Sequence, residues 1–559
     1  MFEKLLIPVK KVILGKGFFR VTGAFDPAII GIHRDETIKN REAYRIKITA
    51  GGIEVFSASD AGAYYAVQTI LDLLKIYGNR LPLCNMYDEP DFKRRGVCYD
   101  ISRGKVPTVK TVKQLIERLA HWKINEFQLY VENTFTFKKH PDIGKGYSAL
   151  TPQDILEIQN YCKLHHINFV GSLASFGHFE KILALTKYRH LGEMPGFRGH
   201  PGGTTLNPAD PDSIKLIDDL YSEFMPLFEA EDFNVCCDET WELGQGKSKK
   251  LADRIGKGKV YLQFLLKIHK LCKKYGKRMH IWADIVLGYP ELLSKLPKDI
   301  VLLNWEYEQD GKNIYRTKDI AKTGIPFMVC PGTSSWQTHG SRLRNAMGNI
   351  RNFAEQGRKY RAEGLLNTDW GDFGHRNFLG ASLHGLAYGA AQSWNGKAVD
   401  DKKFTENFCF HVFGQKTKQM ANAIKLLGSS YIESGIMHNQ CLLYHTLVNP
   451  VISEHILDTA KTSGLKKIIK QLSNKKLWPD SLPVKEKFER LALEELKLAA
   501  QMDVLAAKRT LTAKAGVSFD DIAEDMRKIS KQFRKLWLAR NKPSKLKDNL
   551  RVFRQIGLY

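Results

Sequence analysis

Eight short apolar runs, each followed by an amphipathic stretch, constrain the fold of this 559-residue chain more than any other feature. Apolar runs of this length indicate buried parallel strands, and the stretches between them have helical spacing. Eight such units over residues 91–396 predict a (β/α)8 TIM barrel, of the α/β class. An open doubly wound sheet is the alternative, but no glycine-rich phosphate loop follows any run. The predicted strands are Gly96–Ile101, Glu126–Val131, Asn168–Leu173, Phe233–Cys237, Met279–Ala283, Val301–Trp305, Phe327–Cys330 and Gly364–Asn367.

Three domains are predicted, because 559 residues are too many for one ordinary core. Residues 1–90 predict a small α+β domain, in which a turn at Gly51-Gly52 joins two strands ahead of a helix. Residues 91–396 form the predicted barrel. The amphipathic, Lys-rich segments of residues 397–559 predict a C-terminal α-helical domain.

The charge balance is basic, with 85 Lys and Arg against 60 Asp and Glu and a formal net charge of +25. Such an excess fits a polyanionic partner, such as nucleic acid or an acidic glycan, or a solvated surface. The basic residues are dispersed over most of the chain, which favours the solvated surface, so no nucleic acid partner is expected. The exception is residues 531–554, where nine Lys and Arg face a single acid, Asp548.

Neither a membrane span nor a disulfide framework is predicted. No run approaches the roughly 18 apolar residues that a membrane helix needs, and the first ten residues lack the apolar core and cleavage site of a signal peptide. The nine cysteines are scattered, and no pair has metal-ligand spacing. These features predict buried, reduced thiols in a cytoplasmic protein without a membrane partner.

Acidic and aromatic side chains gather where the predicted strands end, which is where the loops of a (β/α)8 barrel build its site. Each has a simpler explanation: a Trp packs against a helix, His178 is structural, Asp238 caps a helix, or Arg95 pairs with Asp100. Clustered carboxylates could also bind a divalent cation, but tryptophans would crowd a hydrated ion. Repeated Trp-plus-carboxylate strand ends favour a pocket for a polar ring with apolar faces, which describes a sugar. These residues are Asp100, Arg103, Glu132, His178, Asp238, Glu239, Trp282, Asp284, Trp305, Glu306, Trp336, Trp370 and Asp372.

In their order along the chain, these residues resemble glycoside hydrolase family 20, the β-N-acetylhexosaminidases, over about residues 20–396. The resemblance implies exo-acting, retaining hydrolysis of terminal β-linked N-acetylglucosamine or N-acetylgalactosamine, with the substrate's 2-acetamido group as nucleophile. A carbohydrate would be the partner, and no cofactor or metal would be needed. The motifs are Tyr64-Tyr65-Ala66-Val67-Gln68-Thr69, Asp88-Glu89-Pro90-Asp91-Phe92, Arg94-Arg95-Gly96, Asp100-Ile101-Ser102-Arg103, Lys123-Ile124-Asn125, Gly177-His178 and Asp238-Glu239.

The resemblance also implies a role for each site residue. Glu239 would protonate the leaving oxygen and then activate water, and a raised pKa would keep it protonated near neutral pH. Asp238 would stay ionised and orient the acetamido group, both acids facing the pocket from the frayed end of their strand. The expected substrate-binding residues are Arg95 at the 3- and 4-hydroxyls, Asp372 at the 4- and 6-hydroxyls, Trp370 as the floor, Trp282 and Trp305 around the acetamido group, His178 beside the carboxylates, and Trp336 as a further aromatic.

Three departures from the family pattern bear on substrate preference more than on reaction class. Cys236-Cys237 replaces the glycines that usually precede the Asp-Glu pair, and Ser175-Phe176 stands where an Asp often precedes Gly-His. The tyrosine that binds the acetamido carbonyl has no clear counterpart, and Tyr307 is the candidate. The preferred sugar stays open, and a homo-oligomer is possible. The alternative function is a non-hydrolytic glycan- or polyanion-binding protein on the same barrel.

Overall fold

A five-stranded sheet and one helix form the first part of the structure, a computed structural model that describes residues 2–23, 25–519 and 521–556. The elements are β1 (Lys11–Arg20), β2 (Ile30–Arg34), β3 (Tyr44–Thr49), β4 (Gly52–Ser57), α1 (Asp60–Tyr77) and β5 (Arg80–Asp88). The sheet order is β1-β5-β3-β4-β2, and only the β2–β4 pair is parallel among these described strands. The Ser59 hydroxyl accepts a hydrogen bond from the Gly62 N–H at 3.2 Å and so caps α1.

Eight parallel strands then close into a barrel, which confirms the predicted α/β barrel and excludes an open sheet. The strands are β6 (Arg94–Asp100), β7 (Glu126–Val131), β8 (Asn168–Leu173), β9 (Asp232–Asn234), β10 (Arg278–Trp282), β11 (Val301–Trp305), β12 (Phe327–Cys330) and β13 (Gly364–Asp369). Seven of them agree with the predicted bounds within two residues. The fourth, β9, ends at Asn234 instead of Cys237, because Cys236 and Cys237 have positive φ angles that a strand cannot adopt.

Helices surround the barrel and follow its strands in turn. Capping side chains define where several begin; Thr151 and Asp154, for example, form a capping box at the start of the helix after β7. The helices are α2 (Val109–His121), α3 (Pro152–Leu164), α4 (Glu180–Leu183), α5 (Pro211–Phe224), α6 (Lys249–Ile255), α7 (Lys257–Lys274), α8 (Asp284–Gly288), α9 (Lys312–Tyr315), α10 (Thr317–Ala321), α11 (Leu343–Lys359) and α12 (Leu379–Asn395).

The C-terminal part is helical and packs against both the last and the first units of the barrel. Its long helix α19 contacts α12, where the Gly380 N–H donates to Glu495 at 2.8 Å. Its elements are α13 (Asp401–Phe413), α14 (Gln419–Leu427), α15 (Ser430–Ser434), β14 (Ile436–Met437), β15 (Gln440–Cys441), α16 (Leu442–Thr446), α17 (Glu454–Thr459), α18 (Thr462–Leu472), α19 (Lys487–Ala515), α20 (Ile522–Arg540) and α21 (Leu546–Ile556). The short hairpin of β14 and β15 was not predicted.

Part of the basic C-terminal segment is structural. Arg540 is buried with its guanidinium 2.5 Å from Glu495, and Lys542 lies 3.0 Å from Asp154 at the start of α3. All nine cysteines are free and buried, as predicted. Among the described residues, no helix has the length and apolar character to cross a membrane.

Candidate active site

The acidic pair that follows β9 lies on a turn with an unusual backbone conformation. Cys236, Cys237 and Glu239 have φ angles of 61°, 65° and 49°, a left-handed conformation that costs a non-glycine residue about 1–2 kcal/mol. The turn is held from two sides. The Trp282 backbone N–H donates to the Cys236 carbonyl at 3.0 Å, and the Tyr261 hydroxyl donates to the Cys237 carbonyl at 2.9 Å. This departure from strand geometry brings two adjacent carboxylates to one pocket.

His178 bridges the two carboxylates. Its Nε2 lies 3.4 Å from Asp238 Oδ2 and 3.4 Å from Glu239 Oε2. The preceding Gly177 is required for this approach, because a Cβ there would lie 2.1 Å from the Asp238 carbonyl oxygen. Burial disfavours the imidazolium, but the charge of Asp238, its hydrogen bond with His178 and the charge of Glu132 together outweigh burial and raise the pKa of His178 to about 10. His178 is therefore a cation at neutral pH that draws both acids together.

A third carboxylate, Asp284, lies next to the Glu239 backbone. The Glu239 N–H donates to Asp284 Oδ2 at 3.1 Å. Burial, reinforced by the charge of Asp238, raises the pKa of Asp284 to about 7. Burial also raises the pKa of Glu239, with His178 opposing the shift and Asp238 adding to it. A carboxyl group with a raised pKa keeps its proton to higher pH, so Glu239 suits a proton donor.

Four aromatic side chains line the pocket beside the acids. Trp305 stacks on Tyr307 with ring centroids 5.1 Å apart, and Trp282 lies 5.9 Å from Trp370. The Trp370 indole N–H donates to the Tyr307 hydroxyl at 2.8 Å, which orients both rings. Within the described part of the chain, Asp238 Oδ1 is buried and accepts no hydrogen bond. The pocket thus offers apolar ring faces together with an acceptor that a bound amide can use.

Arg103 connects further acids on the opposite side of the pocket. Its guanidinium lies 3.0 Å from Asp100, 3.2 Å from Glu132 and 3.9 Å from Asp372, and it covers Trp370 at 5.1 Å from the ring centroid. Burial raises the pKa of Asp372, and the charge of Arg103 opposes that shift. Arg103 is among the residues predicted at the strand ends, because it follows the first barrel strand, but no role in substrate binding was predicted for it.

The prediction that Arg95 binds sugar hydroxyls is wrong. Arg95 lies near the amino end of β6 and is fully buried. Its guanidinium lies 2.6 Å from Glu42 and donates to the carbonyls of Phe92 and Lys123 at 3.0 and 2.8 Å. Arg95 therefore connects the barrel to the N-terminal part of the chain. It also does not pair with Asp100, whose arginine partner is Arg103.

Trp336 lies behind the pocket instead of in its lining, which corrects a second assignment. Its side chain is fully buried and meets the Tyr307 ring edge-on, with centroids 5.0 Å apart. The loop after β12 turns inward at this point, where Thr333 and Ser335 donate to Asp369 at 2.5 and 2.6 Å. Trp336 supports an aromatic wall that it does not itself form.

The structure brings the other predicted site residues together around a cavity of about 120 Å³. Arg103, Tyr307 and Asn439 complete its lining. Asn439 comes from the turn between β14 and β15, so no strand-end pattern could have identified it. The predicted residues that line the cavity are His178, Asp238, Glu239, Trp282, Trp305, Trp370 and Asp372.

Glu132, His178 and Glu180 form a cluster of described residues with ligand atoms within 4.8 Å of one another, the spacing that a metal ion needs. Lys181 contacts Glu132 and lies 3.0 Å from Glu180. Arg103 lies 3.2 Å from Glu132. Because these cationic side chains already balance the acids, the cluster does not suit a divalent cation.

Two family models match the chain. The model described as "Glycosyl hydrolase family 20, catalytic domain" matches residues 92–407, and "Glycosyl hydrolase family 20, domain 2" matches residues 19–89. The curated protein "Beta-hexosaminidase" of Porphyromonas gingivalis is 25% identical over 306 residues, which cover 48% of this chain and 38% of that protein. "Hexosaminidase D" of Homo sapiens is 23% identical over 309 residues, which cover 52% of this chain and 62% of that protein. The chain thus spans about 40 to 60% of the length of these relatives.

Solved structures show the same fold at low sequence identity. The X-ray structure of a Flavobacterium johnsoniae chitobiase matches with a TM-score of 0.62 at 17% identity, over 98% of this chain and 99% of that one. An exo β-N-acetylglucosaminidase from Vibrio harveyi, solved in complex with N-acetylglucosamine, matches with a TM-score of 0.59 at 17% identity, over 74% and 77%. The match to the chitobiase, which covers 98% of this chain, extends through the C-terminal helices.

Proposed function

The chain belongs to glycosyl hydrolase family 20, and from this membership we propose that it is an exo-acting β-N-acetylhexosaminidase that retains anomeric configuration by substrate-assisted catalysis. The observation that carries the proposal is the placement of Asp238 and Glu239. Both contact the cation His178, and both line a small cavity with aromatic walls. Terminal β-linked N-acetylglucosamine or N-acetylgalactosamine is the proposed substrate.

Glu239 is the proposed acid and base. Its raised pKa leaves a proton that it transfers to the glycosidic oxygen as the bond to the anomeric carbon breaks. The acetamido carbonyl oxygen of the substrate attacks the same carbon, so the enzyme supplies no nucleophile of its own. Glu239, now a carboxylate, then removes a proton from the water that opens the cyclic intermediate. After one turnover Glu239 carries a proton again, as it did at the start.

Asp238 and Tyr307 are proposed to hold the acetamido group. The buried Asp238 Oδ1 is placed to accept the acetamido N–H and to stabilise the positive charge that develops there. The Tyr307 hydroxyl accepts a hydrogen bond from Trp370, and Thr368 is its second hydrogen-bonding neighbour. We assign the Tyr307 hydroxyl proton to the acetamido carbonyl of the bound substrate. Trp282 and Trp305 then pack against the acetyl methyl.

Release of an aryl alcohol from aryl β-N-acetylglucosaminide and β-N-acetylgalactosaminide tests the proposal. We expect turnover by the parent, with the faster sugar identifying the preferred configuration at C4. Asp238→Asn and Glu239→Gln keep size and shape, so their activity on an unactivated aryl glycoside, such as the phenyl glycoside, should fall at least 100-fold while circular dichroism stays unchanged. A folded parent that turns over neither sugar would contradict hydrolysis and would favour a glycan- or polyanion-binding protein.

The nine free, buried thiols support action in a reducing compartment, for which we propose the cytoplasm.

A further inference from the structure

The part of the pocket wall above β12 does not come from a barrel loop. The loop after β12 directs Thr333, Ser335 and Trp336 inward, and it contributes none of the residues that line the cavity. The turn of the β14–β15 hairpin covers this position and brings Asn439 into the lining. The C-terminal part of the chain therefore does more than pack against the barrel, because it supplies one side of the pocket.

The tip of this hairpin is fixed to the barrel by two hydrogen bonds, and the two barrel residues that make them are also bonded to each other. The Asn439 N–H donates to Glu308 Oε1 at 2.7 Å, and the Arg342 guanidinium donates to the same oxygen at 2.7 Å. Arg342 also donates to Asn439 Oδ1 at 3.2 Å, and it is almost fully buried. Glu308 directly follows Tyr307, so the segment that lines the pocket also anchors the hairpin. Asn439 has a φ of 55°, which Asn tolerates better than most residues.

The contact with Arg342 determines which way the Asn439 amide points. A guanidinium can only donate hydrogen bonds, so the amide oxygen faces Arg342 and the NH2 group occupies the other position. Within the described residues, no hydrogen bond from Asn439 Nδ2 is found. An uncharged pair of donors thus stands in the lining of a cavity whose acids, Asp238, Glu239 and Asp372, are acceptors when ionised.

We propose that Asn439 is a substrate-binding residue whose amide donates a hydrogen bond to a hydroxyl oxygen of the terminal sugar. A sugar hydroxyl both donates and accepts, so one that donates to a carboxylate such as Asp372 can accept from Asn439. The inference rests on the proposed function, since it takes an N-acetylhexosamine as the occupant. It makes the C-terminal part of the chain a determinant of sugar affinity.

Two substitutions remove the donors and keep the backbone conformation of the turn. Asn439→Asp keeps the shape and the oxygen that accepts from Arg342, whereas Asn439→Gly keeps the positive φ without strain but loses that oxygen. For both we expect KM for the preferred aryl N-acetylhexosaminide to rise about 5- to 20-fold, because one hydrogen bond to the sugar is lost. The far-UV spectrum should stay at the parental value in both variants, and the thermal midpoint should stay at the parental value in Asn439→Asp. His438→Ala changes the exposed neighbour on the same turn and should leave KM unchanged.

Parental KM in both Asn439 variants would overturn the proposal, as would an equal rise in His438→Ala. Binding of free N-acetylglucosamine and N-acetylgalactosamine, measured by calorimetry, separates this inference from the proposed function. If the parent binds a sugar but turns over no aryl glycoside, hydrolysis fails, and weaker binding by Asn439→Asp still supports the contact. If the parent binds neither sugar, the contact is overturned as well.

Discussion

The two ends of the barrel both bury charged side chains, and they differ in how those charges are balanced. At the amino end, Arg94 lies 2.7 Å from Glu126, 3.1 Å from Asp232 and 3.6 Å from Glu363. Arg278 lies 2.6 Å from the same Asp232. Burial opposes ionisation of Asp232, but its contacts with cationic side chains outweigh burial and lower its pKa. Every acid in this cluster has an arginine.

At the carboxyl end, by contrast, the cationic side chains do not compensate every buried acid. His178 is shared by two acids, Asp284 has no Lys or Arg partner among the described residues, and burial raises the pKa of Glu239, Asp284 and Asp372. Raised pKa values in a cleft are typical of functional sites, whereas paired charges are typical of structural ones. Buried charge alone thus does not mark the active end; acids whose pKa values are raised because cations do not fully compensate their burial do.

Glu239→Gln should have the largest effect and should act on the carboxyl end alone. We expect kcat/KM, which reports the step in which the leaving group departs, to fall about 10²- to 10⁴-fold for a glycoside with an alkyl leaving group, because a proton donor is lost. The loss in kcat/KM should be much smaller for a dinitrophenyl leaving group, which needs no proton. Asp238→Asn is the matched control: its loss should be similar for both leaving groups. Measuring kcat/KM for the two substrates with each variant tests this, and an equal loss for Glu239→Gln on both would contradict its role as acid.

Arg95→Met should affect folding and leave the pocket intact. The change removes an ion pair and two carbonyl contacts, so we expect the free energy of unfolding to fall by about 3 kcal/mol. Urea unfolding measures the loss. The KM of the folded variant should equal that of the parent. Arg103→Met, in contrast, should raise KM. A raised KM in Arg95→Met with parental stability would restore Arg95 to the site and contradict the distinction between the two ends.

The stability of the protein should depend on pH through His178. Its pKa is raised from 6.5 to about 10, so the stabilisation is complete below pH 6.5 and is lost as pH rises toward 10. In that window the free energy of unfolding should fall by at most about 1.4 kcal/mol per pH unit. His178→Asn, which tolerates the φ of 58°, should flatten this slope.

His280 at the amino end provides the control, because burial lowers its pKa and it titrates below this window. Denaturant unfolding at several pH values measures the slope. The same slope in the parent and in His178→Asn would show that the histidine does not hold the charge assigned to it.

Cys237→Gly should give the smallest effect. Its φ of 65° strains any residue with a Cβ, so we expect Cys237→Gly to be about 1 kcal/mol more stable than Cys237→Ala, which keeps the strain and also loses the sulfur. Thermal unfolding of both variants measures the difference. A more stable alanine variant would mean that the turn relaxes and stores no strain.

The fold was predictable because the signals are local. Each strand is a short apolar run, and eight strand–helix units leave few arrangements other than a closed barrel. The exception is β9, where apolar character extends to Cys237 but the strand does not. Hydrophobicity predicts which residues are buried, but it does not predict the positive φ angles that end the strand at Asn234.

The site was predictable where residues follow strand ends directly, as for Asp238, Glu239 and Trp370. Arg95 was wrongly predicted to bind the sugar, although its position near the amino end of β6 indicates that it lies away from the site. Asp100 is five positions further along the strand, about 17 Å away, so Arg95 and Arg103 must lie at opposite ends of the barrel. Asn439 could not be predicted, because its place in the pocket depends on the docking of the C-terminal hairpin.

The most direct test of substrate assistance varies the acyl group of the substrate. In a series of aryl β-N-acylhexosaminides carrying acetyl, fluoroacetyl, difluoroacetyl and trifluoroacetyl groups, each fluorine withdraws electron density from the carbonyl oxygen. If that oxygen attacks the anomeric carbon, kcat should fall steeply with every fluorine added. A kcat that does not depend on fluorination would contradict the account, because the nucleophile would then come from the enzyme or from water.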